Sequence, residues 1–325
     1  MLLNMAKNIL NANKSRNIKA MIFSIEILFC FTIRIYEFNL TKSDTNKEDY
    51  RVCVCTLGKK ENRYIREFVE HYKKYGVDKI YLYDNNNNDG ERFEEVINDY
   101  VEEGFVEIVD FRGKIRPIYR IMNDCYRKNY KNYNWLIFFE IDEYIYLKDF
   151  NNVKIFLRNN RFNNCQKVQL NWVFHTDNNL LHYENRTLKE RFPDILPSLR
   201  GKKRDGLAGI KTILRGHIPN IKINCIHSIN PKLKSCDGFG NPKNHLGILT
   251  DNSDLEYYYI DHYYSKSTEE FINKLNKGDA LFVDNRMDRI ITYFSQNKIT
   301  NEKIDYFENS TGLNLSMFRN KTIKR

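Results

Sequence analysis

The 325-residue sequence has little glycine or proline and no apolar run of the length that spans a bilayer. Its 14 glycines and 6 prolines exclude a collagen-like chain, long proline-rich linkers and Gly/Ser-rich low complexity. It also lacks a CxxC pair, a zinc finger, an RNA-recognition signature and a phosphate-binding P-loop. Hydrophobic residues at 42% and aromatic residues at 14% are enough for a large core, which excludes a disordered chain.

The charge is unbalanced toward the positive side. Lysine and arginine number 52 against 42 aspartates and glutamates, a net charge of +10. Two interpretations stay open: lysines that solvate the surface, or attraction to an anionic lipid surface, nucleic acid or phosphorylated substrate. The missing nucleic-acid motifs disfavour nucleic acid as a partner.

The cysteines predict a reduced chain. There are seven, an odd number without metal-ligand spacing, which favours a cytoplasmic protein. Cys53 and Cys55 alternate with valine in an apolar run and should share one face of a strand.

Residues 1–49 differ in pattern from the rest. Basic residues precede the 13-residue apolar run Met21–Ile33, which contains Glu26. This run is short for a membrane span of roughly 20 residues. We interpret residues 1–49 as an extension that is either a membrane-surface helix or weak anchor, or loosely packed on the body.

From residue 50 onward, apolar runs alternate with helical patterns. Strands are predicted at 51–57, 79–83, 105–109, 135–139, 167–174, 210–214, 222–226 and 257–260. Helices are predicted at 61–75, 93–100, 118–130, 153–159, 268–277 and 286–297. The alternation in the first hundred residues is typical of parallel βαβ units, so an α/β fold is expected.

The fourth predicted strand ends in three carboxylates within four residues. Glu140, Asp142 and Glu143 follow this run, and alternation would place Glu140 and Asp142 on one side of an extended chain. Ligands of parallel sheets bind beyond the carboxyl ends of the strands, where this segment lies. Paired carboxylates there suit Mg²⁺ or Mn²⁺, with a solvated acidic turn as the alternative.

Several segments, in this order, carry a resemblance to a known family. They are Val52–Thr56, Lys60–Tyr72, Gly76–Asn86, Phe139–Tyr144, Asn171-Trp172, Asp177–Asn179, Glu190–Phe192 and Asp261–Ser267. On them, residues 50–280 resemble a GT-A glycosyltransferase of family 92 (DUF23-like) or of a family 2-related type. The resemblance implies a Rossmann-like α/β fold: a mostly parallel sheet, helices on both faces and a mixed α+β C-terminal part. It also implies a nucleotide-sugar-binding half at 50–150, an acceptor and catalytic half at 151–283, and a C-terminal helical segment at 284–325.

The same resemblance implies the donor and the metal. The donor would be a nucleotide sugar, with uridine as the base that fits best, and Mn²⁺ or Mg²⁺ would bind at a DxD motif. Glu140 stands where that motif has aspartate, so Asp142 is the safer ligand. A late histidine often completes such a site, and His262 is preferred to His227, with a structural histidine as the alternative.

Donor contacts are expected after the first two strands. Thr56 could contact the base and ribose, and Asp84 could accept hydrogen bonds from them. Asp84 and Asn85 could equally be turn formers. Arg63 could reach a phosphate or lie on a solvated helix face. Lys211, with the basic loop Arg200–Arg204, could hold donor phosphates or an anionic acceptor, and solvation is again the alternative.

The sequence also suggests a general base. Inverting transfer needs one because a hydroxyl is a poor nucleophile, and Asp177 is the candidate, with Glu184 second and a turn aspartate as the alternative. The predicted function is a cytoplasmic, metal-dependent glycosyltransferase that builds a surface polysaccharide or lipid-linked glycan, with association at the inner face of the membrane as an open alternative. A non-catalytic basic module on a membrane surface or a glycan is the alternative.

Overall fold

The computed structural model describes residues 50–115, 117–196, 209–225, 227–230, 232–243, 254–278 and 286–319. Those from Tyr50 onward belong to one compact unit. The predicted extension, residues 1–49, and the basic loop Arg200–Arg204 lie outside the described residues. In the described part, no helix combines the length and apolar character that a bilayer-spanning segment needs.

The strands of the described residues form one mixed sheet. They are β1 (Val52–Gly58), β2 (Lys79–Asp84), β3 (Val106–Asp110), β4 (Trp135–Ile137), β5 (Glu143–Leu147), β6 (Lys167–Phe174), β7 (Ile210–Arg215), β8 (Ser235–Cys236), β9 (Pro242–Lys243) and β10 (Tyr258–His262). Their order is β3-β2-β1-β4-β7-β6-β10-β5, and β8 pairs with β6 and β9. The sheet therefore runs without a break across residue 150, where the two halves were expected to meet.

Helices cover and extend this sheet. They are α1 (Asn62–Lys74), α2 (Glu94–Glu102), α3 (Ile118–Asn129), α4 (Val153–Arg158), α5 (Leu188–Arg191), α6 (Asp254–Tyr257), α7 (Thr268–Asn276), α8 (Arg286–Gln296), α9 (Asn301–Thr311) and α10 (Ser316–Arg319), with a 3₁₀ turn at Asn160–Phe162. The predicted α/β fold with a mostly parallel sheet is confirmed.

Strand direction brings the polar strand ends to one edge. β1 is parallel to β2 and β4, β2 to β3, and β6 to β10. β7 is antiparallel to both β4 and β6, so β6 and β10 run in the same direction as β1. β5 is antiparallel to β10. The carboxyl ends of six strands therefore meet at the edge where β5 and β7 begin.

Two local expectations need correction. The strand predicted at 222–226 does not form in its described part, residues 222–225, because the chain folds back and the Ile229 amide donates to the Cys225 carbonyl at 3.0 Å. β5, which was not predicted, pairs Ile145 with Ile260 of β10 at the end of the sheet order.

Apolar side chains pack on both faces of the sheet. α1 buries Phe68 and Tyr72 on one face, as its helical spacing predicted, and ends before Gly76. Gly76 has φ +77°, a left-handed conformation that glycine adopts at little cost. On the other face, α3 packs Met122 near Leu136 of β4. A third cluster joins α7, α8 and α9.

The prediction of a fully reduced chain is wrong. Cys55 of β1 is bonded to Cys125 of α3, and Cys165 is bonded to Cys236 of β8. Each pair lies about 70 residues apart in sequence, at separations of 70 and 71, so no local spacing revealed it. Cys53 and Cys55 do share the sheet face under α3, as the alternation predicted.

Candidate active site

The acidic segment forms a turn instead of continuing β4. The strand ends at Ile137, and the Glu143 amide donates to the Glu140 carbonyl at 3.0 Å. The extended geometry expected for residues 140–142 is therefore wrong. The turn separates the carboxylates, because Glu140 contacts Lys211 while Asp142 contacts Lys274.

Lys211 neutralises one side of the turn. Its Nζ lies 2.7 Å from Glu140 Oε1 and 3.3 Å from Glu143 Oε1. Glu143 is fully buried, and its other carboxylate oxygen accepts from the Glu140 amide at 2.8 Å. Burial raises the pKa of Glu143 to about 8 against the opposing effect of Lys211. Lys211 thus has partners inside the protein, and its contact with donor phosphates stays a prediction.

Asp142 lies between lysines and a histidine. Its Oδ2 accepts from Lys274 Nζ at 2.6 Å, and Lys266 Nζ lies 3.9 Å away. Its Oδ1 lies 3.7 Å from His262 Nε2. Burial acts to raise the pKa of Asp142, but the Lys274 and Lys266 ammonium groups hold it well below its usual range. Asp142 is therefore a charged carboxylate inside the protein.

His262 ends β10 beside Asp142 with no hydrogen bond of its own among the described residues. Both ring nitrogens are buried and unpartnered there, and the ring packs 4.5 Å from that of Trp172 and 5.0 Å from that of Phe174. Burial lowers the pKa of His262 to about 3, so the imidazole is neutral and keeps a lone pair for a ligand.

Asp142 and His262 fit a divalent cation. Ligand atoms lie about 2.1 Å from such an ion, so Oδ1 and Nε2 need only a small movement to share one. Within the described ranges, no group of three His, Cys, Asp or Glu side chains could hold a metal. Remaining ligands would come from donor oxygens and water, as is usual for Mg²⁺ bound with phosphates. Glu140, predicted as a third ligand, contacts Lys211 instead.

Of the predicted donor contacts, Asp84 and Asn85 support the turn after β2. Asp84 pairs with Arg112 at 2.5 Å and accepts from the Asn86 amide at 2.9 Å. Asn85 donates to the carbonyls of Phe111 and Lys114. Both side chains are buried, and these contacts match the turn-forming alternative.

Thr56 and Arg63 lie in different surroundings. The Thr56 hydroxyl is buried without a described partner, beside a small cavity that Glu140 and Lys211 also line. Arg63 lies half-exposed on α1, 4.4 Å above the Tyr183 ring and 3.6 Å from Glu269. Thr56 is thus close to the acidic turn, whereas no described contact connects Arg63 to it.

The proposed base, Asp177, is a structural ion-pair partner. It is 1% exposed, and its Oδ2 lies 2.5 Å from Lys303 Nζ and accepts from the Tyr293 hydroxyl at 2.6 Å. These contacts fasten the end of β6 to α8 and α9. Glu184, the second candidate, is partly exposed and pairs with Arg186 at 3.0 Å. Neither carboxylate has a described contact with the acidic turn.

A model of glycosyltransferase family 92 matches residues 48–298, a range that contains every described strand of the sheet and the acidic turn. The chain belongs to glycosyltransferase family 92. The predicted family is therefore confirmed.

Curated relatives of this family 92 chain align over shorter stretches. A glycosyltransferase family 92 protein of Ricinus communis is 24% identical over 114 residues, 35% of this chain and 19% of that protein. One of Oryza sativa subsp. japonica is 25% identical over 113 residues, with the same coverage. A galactan beta-1,4-galactosyltransferase of Arabidopsis thaliana is 29% identical over 122 residues, 35% of this chain and 23% of that protein. The chain thus aligns with about a fifth of the length of these relatives.

Solved structures show a distant likeness. S. aureus TarS matches 81% of this chain and 48% of its own, with 12% identity and a TM-score of 0.32. A structure of TarS residues 1-349 in complex with UDP matches 81% of this chain and 79% of its own, with 12% identity and a TM-score of 0.34.

Sequence reasoning about this family 92 chain missed two residues near Asp142. Lys274 and Lys266 lie 2.6 Å and 3.9 Å from its Oδ2. The Asp261–Ser267 segment carried the family resemblance, but Lys266 within it was given no role. The Trp172 ring packs against those of both His262 and His227, with ring centroids 4.5 Å and 5.1 Å away. Trp172 belongs to β6, which is parallel to β10.

Proposed function

We propose that this family 92 chain transfers a sugar from a UDP-sugar to a hydroxyl of a glycan or lipid-linked glycan, with Mn²⁺ or Mg²⁺ at Asp142 and His262. One observation carries the proposal: at the carboxyl edge of the sheet, a charged carboxylate faces a neutral imidazole that has no hydrogen-bond partner among the described residues. A bound divalent ion would stabilise the negative charge of the leaving diphosphate. Imidazole beside carboxylate favours Mn²⁺ over Mg²⁺.

We assign the general base to His227 in place of Asp177. Its Nδ1 lies 3.2 Å from the Ile210 carbonyl, which can only accept, so Nδ1 carries the proton and Nε2 keeps a lone pair. Burial and the nearby Lys211 lower the pKa of His227, which keeps the ring neutral near pH 7. Its ring lies 5.1 Å from that of Trp172, next to His262. A base there would accept the proton of the attacking hydroxyl in an inverting transfer.

The acceptor and the location are proposed from charge. A net charge of +10 suits an anionic surface, such as a membrane that carries a lipid-linked glycan, and a surface polysaccharide would be the product. The two disulfides are typical of an oxidising compartment, so they argue against the cytoplasmic location inferred from the cysteine count.

The first experiment measures donor binding and hydrolysis with a panel of nucleotide sugars in Mn²⁺, Mg²⁺ or EDTA. We expect metal-dependent binding and slow hydrolysis of one UDP-sugar, lost in Asp142→Asn and His262→Phe but kept in Lys148→Met, whose lysine pairs on the surface with Glu256. His227→Gln should keep donor binding and lose transfer by a factor of roughly 10² or more. If no nucleotide sugar binds in any metal, the chain is the non-catalytic module and the proposal is wrong.

A further inference from the structure

A groove of about 500 Å³ lies between α3 and the segment that holds Asn220 and Ile221. Three aromatic rings and two guanidinium groups line it, contributed by Phe111, Tyr126, Tyr130, Arg120 and Arg127. The volume is within the range of about 300–1,000 Å³ that is usual for small-molecule sites. The proposed transfer reaction uses none of these residues.

The groove is separate from the acidic turn. α3 contributes apolar residues such as Met122 to the small cavity beside Glu140, and polar residues such as Arg120 and Asn123 to the groove. No residue lines both spaces. The two spaces therefore lie on different faces of α3.

Side-chain bonds hold the walls of the groove together. The Asn123 side-chain amide donates to the Ile223 carbonyl at 2.8 Å, and its oxygen accepts from the Ile223 backbone amide at 2.9 Å. The Tyr126 hydroxyl donates to the Ile218 carbonyl at 2.9 Å. The disulfide that Cys125 forms with Cys55 joins α3 to β1. The walls are thus fixed before a ligand arrives, which lowers the entropic cost of binding.

Positive charge exceeds negative charge around the groove. Arg127 and Lys128 both pair with Asp124, at 2.8 Å and 2.7 Å. Arg120 is exposed, lies 5.9 Å from the centroid of the Phe111 ring, and has no ion pair among the described residues. Three cationic groups therefore accompany one carboxylate. Guanidinium groups bind carboxylates and phosphates through paired hydrogen bonds, so this excess suits an anionic ligand.

The aromatic rings suit a sugar. The rings of Tyr126 and Tyr130 are stacked, with centroids 5.6 Å apart, and the side chains of Phe111 and Tyr130 are only partly buried. The face of an aromatic ring carries partial negative charge, so the C–H groups of a sugar ring pack well on it. Sugar hydroxyls can also donate to Asp124, whereas the closely spaced phosphates of a nucleic acid would be repelled by this carboxylate.

We infer that this groove binds a segment of a glycan that carries a carboxylate or a phosphate, with the anion at Arg120 and Arg127 and a sugar ring on Tyr130. The inference goes beyond the proposed function, because binding here needs neither the sugar donor nor the metal. The groove would anchor a glycan chain away from the acidic turn.

The test is the binding of labelled oligosaccharides to the full chain, followed by fluorescence anisotropy in EDTA, without donor and at physiological ionic strength. The probes are an oligogalacturonate, which carries carboxylates, a mannose-phosphate oligosaccharide, a neutral galacto-oligosaccharide and an oligothymidylate. One variant combines Arg120→Gln with Arg127→Gln, and a second, Tyr130→Leu, leaves the charge unchanged. The matched control combines Arg66→Gln with Arg92→Gln, because it removes two guanidinium groups from the surface outside the groove. Melting temperatures confirm that each variant is folded.

We expect one or both anionic oligosaccharides to bind the wild type more tightly than the neutral oligosaccharide and the oligothymidylate do. The probe that binds identifies the anionic group. The double arginine variant should bind it at least about tenfold more weakly, since charged hydrogen bonds are lost, and Tyr130→Leu should also weaken it. Binding by the control, and metal-dependent hydrolysis of the UDP-sugar by every variant, should match the wild type.

Four results would overturn the inference: neither anionic oligosaccharide binds, the neutral oligosaccharide or the oligothymidylate binds as tightly, the control weakens binding as much as the double arginine variant, or Tyr130→Leu has no effect. Each of these results leaves the proposed function standing, because donor hydrolysis is measured separately. Conversely, a wild type that hydrolyses no nucleotide sugar but binds the anionic oligosaccharide would retain the groove and lose the proposed function.

Discussion

Asp177→Asn separates the two roles that sequence and structure give to this residue. Asp177 and Lys303 form an ion pair whose side chains are 2% and 3% exposed, with 2.5 Å between Oδ2 and Nζ. Asparagine keeps the size of the side chain and removes the charge. The Lys303 ammonium then stays buried without its counter-charge.

The size of the effect follows from this burial. Breaking a buried ion pair on one side costs about 3–5 kcal/mol of unfolding free energy. For a domain of this size, roughly 2–4 °C of melting temperature accompany each kcal/mol, so we expect a loss of about 10 °C. Lys303→Met in the Asp177→Asn background removes both charges and should restore part of that loss.

The assay is thermal unfolding followed by circular dichroism, together with the turnover number measured well below the melting temperature. The structural role predicts a large fall in stability and near wild-type turnover of the folded protein. A catalytic base predicts the reverse, with turnover lower by roughly 10²–10⁴. An Asp177→Asn variant with wild-type melting and a hundredfold loss of turnover would refute our reading.

Three further predictions concern other parts of the molecule. Burial lowers the pKa of His71 to about 4. Between pH 6.5 and 4 the unfolded chain therefore binds a proton at His71 that the folded chain does not, so the free energy of unfolding falls as the pH decreases through that window, by up to about 3 kcal/mol. Urea titrations should show a weaker pH dependence in His71→Phe. A Cβ at Gly209 would lie 2.0 Å from ring atoms of Trp172, so Gly209→Ala should displace that ring and reduce sugar transfer. If the variant transferred sugar as fast as the wild type, the position of the ring would not matter for the reaction. Replacing Cys165 and Cys236 by alanine removes a disulfide between residues 71 positions apart and should lower the free energy of unfolding by about 4 kcal/mol in non-reducing urea titrations. An unchanged midpoint would contradict the pairing.

Sequence patterns determined much of the fold and the family. Apolar periodicity over 12 or more residues located helices such as α1 and α3, because their buried side chains repeat at the helical period. The alternation of strands and helices predicted a parallel sheet and therefore the edge where polar residues meet. The acidic triplet after β4 and the Asp261–Ser267 segment identified Asp142 and His262, and the two side chains do lie together, 3.7 Å apart.

Tertiary structure decided which side chains meet. Lys303 lies 126 positions from Asp177 in sequence, Lys274 lies 132 from Asp142, and Cys55 lies 70 from Cys125. Pairings over such distances leave no local period, because the strand order and the packing of α7 and α9 determine them. A carboxylate in the sequence is therefore a candidate for a metal ligand, a base or a structural ion-pair partner alike. Burial and the nearest ammonium group assign Asp177 to the structural pair. They leave Asp142 Oδ1 facing a histidine that forms no hydrogen bond within the described part of the chain.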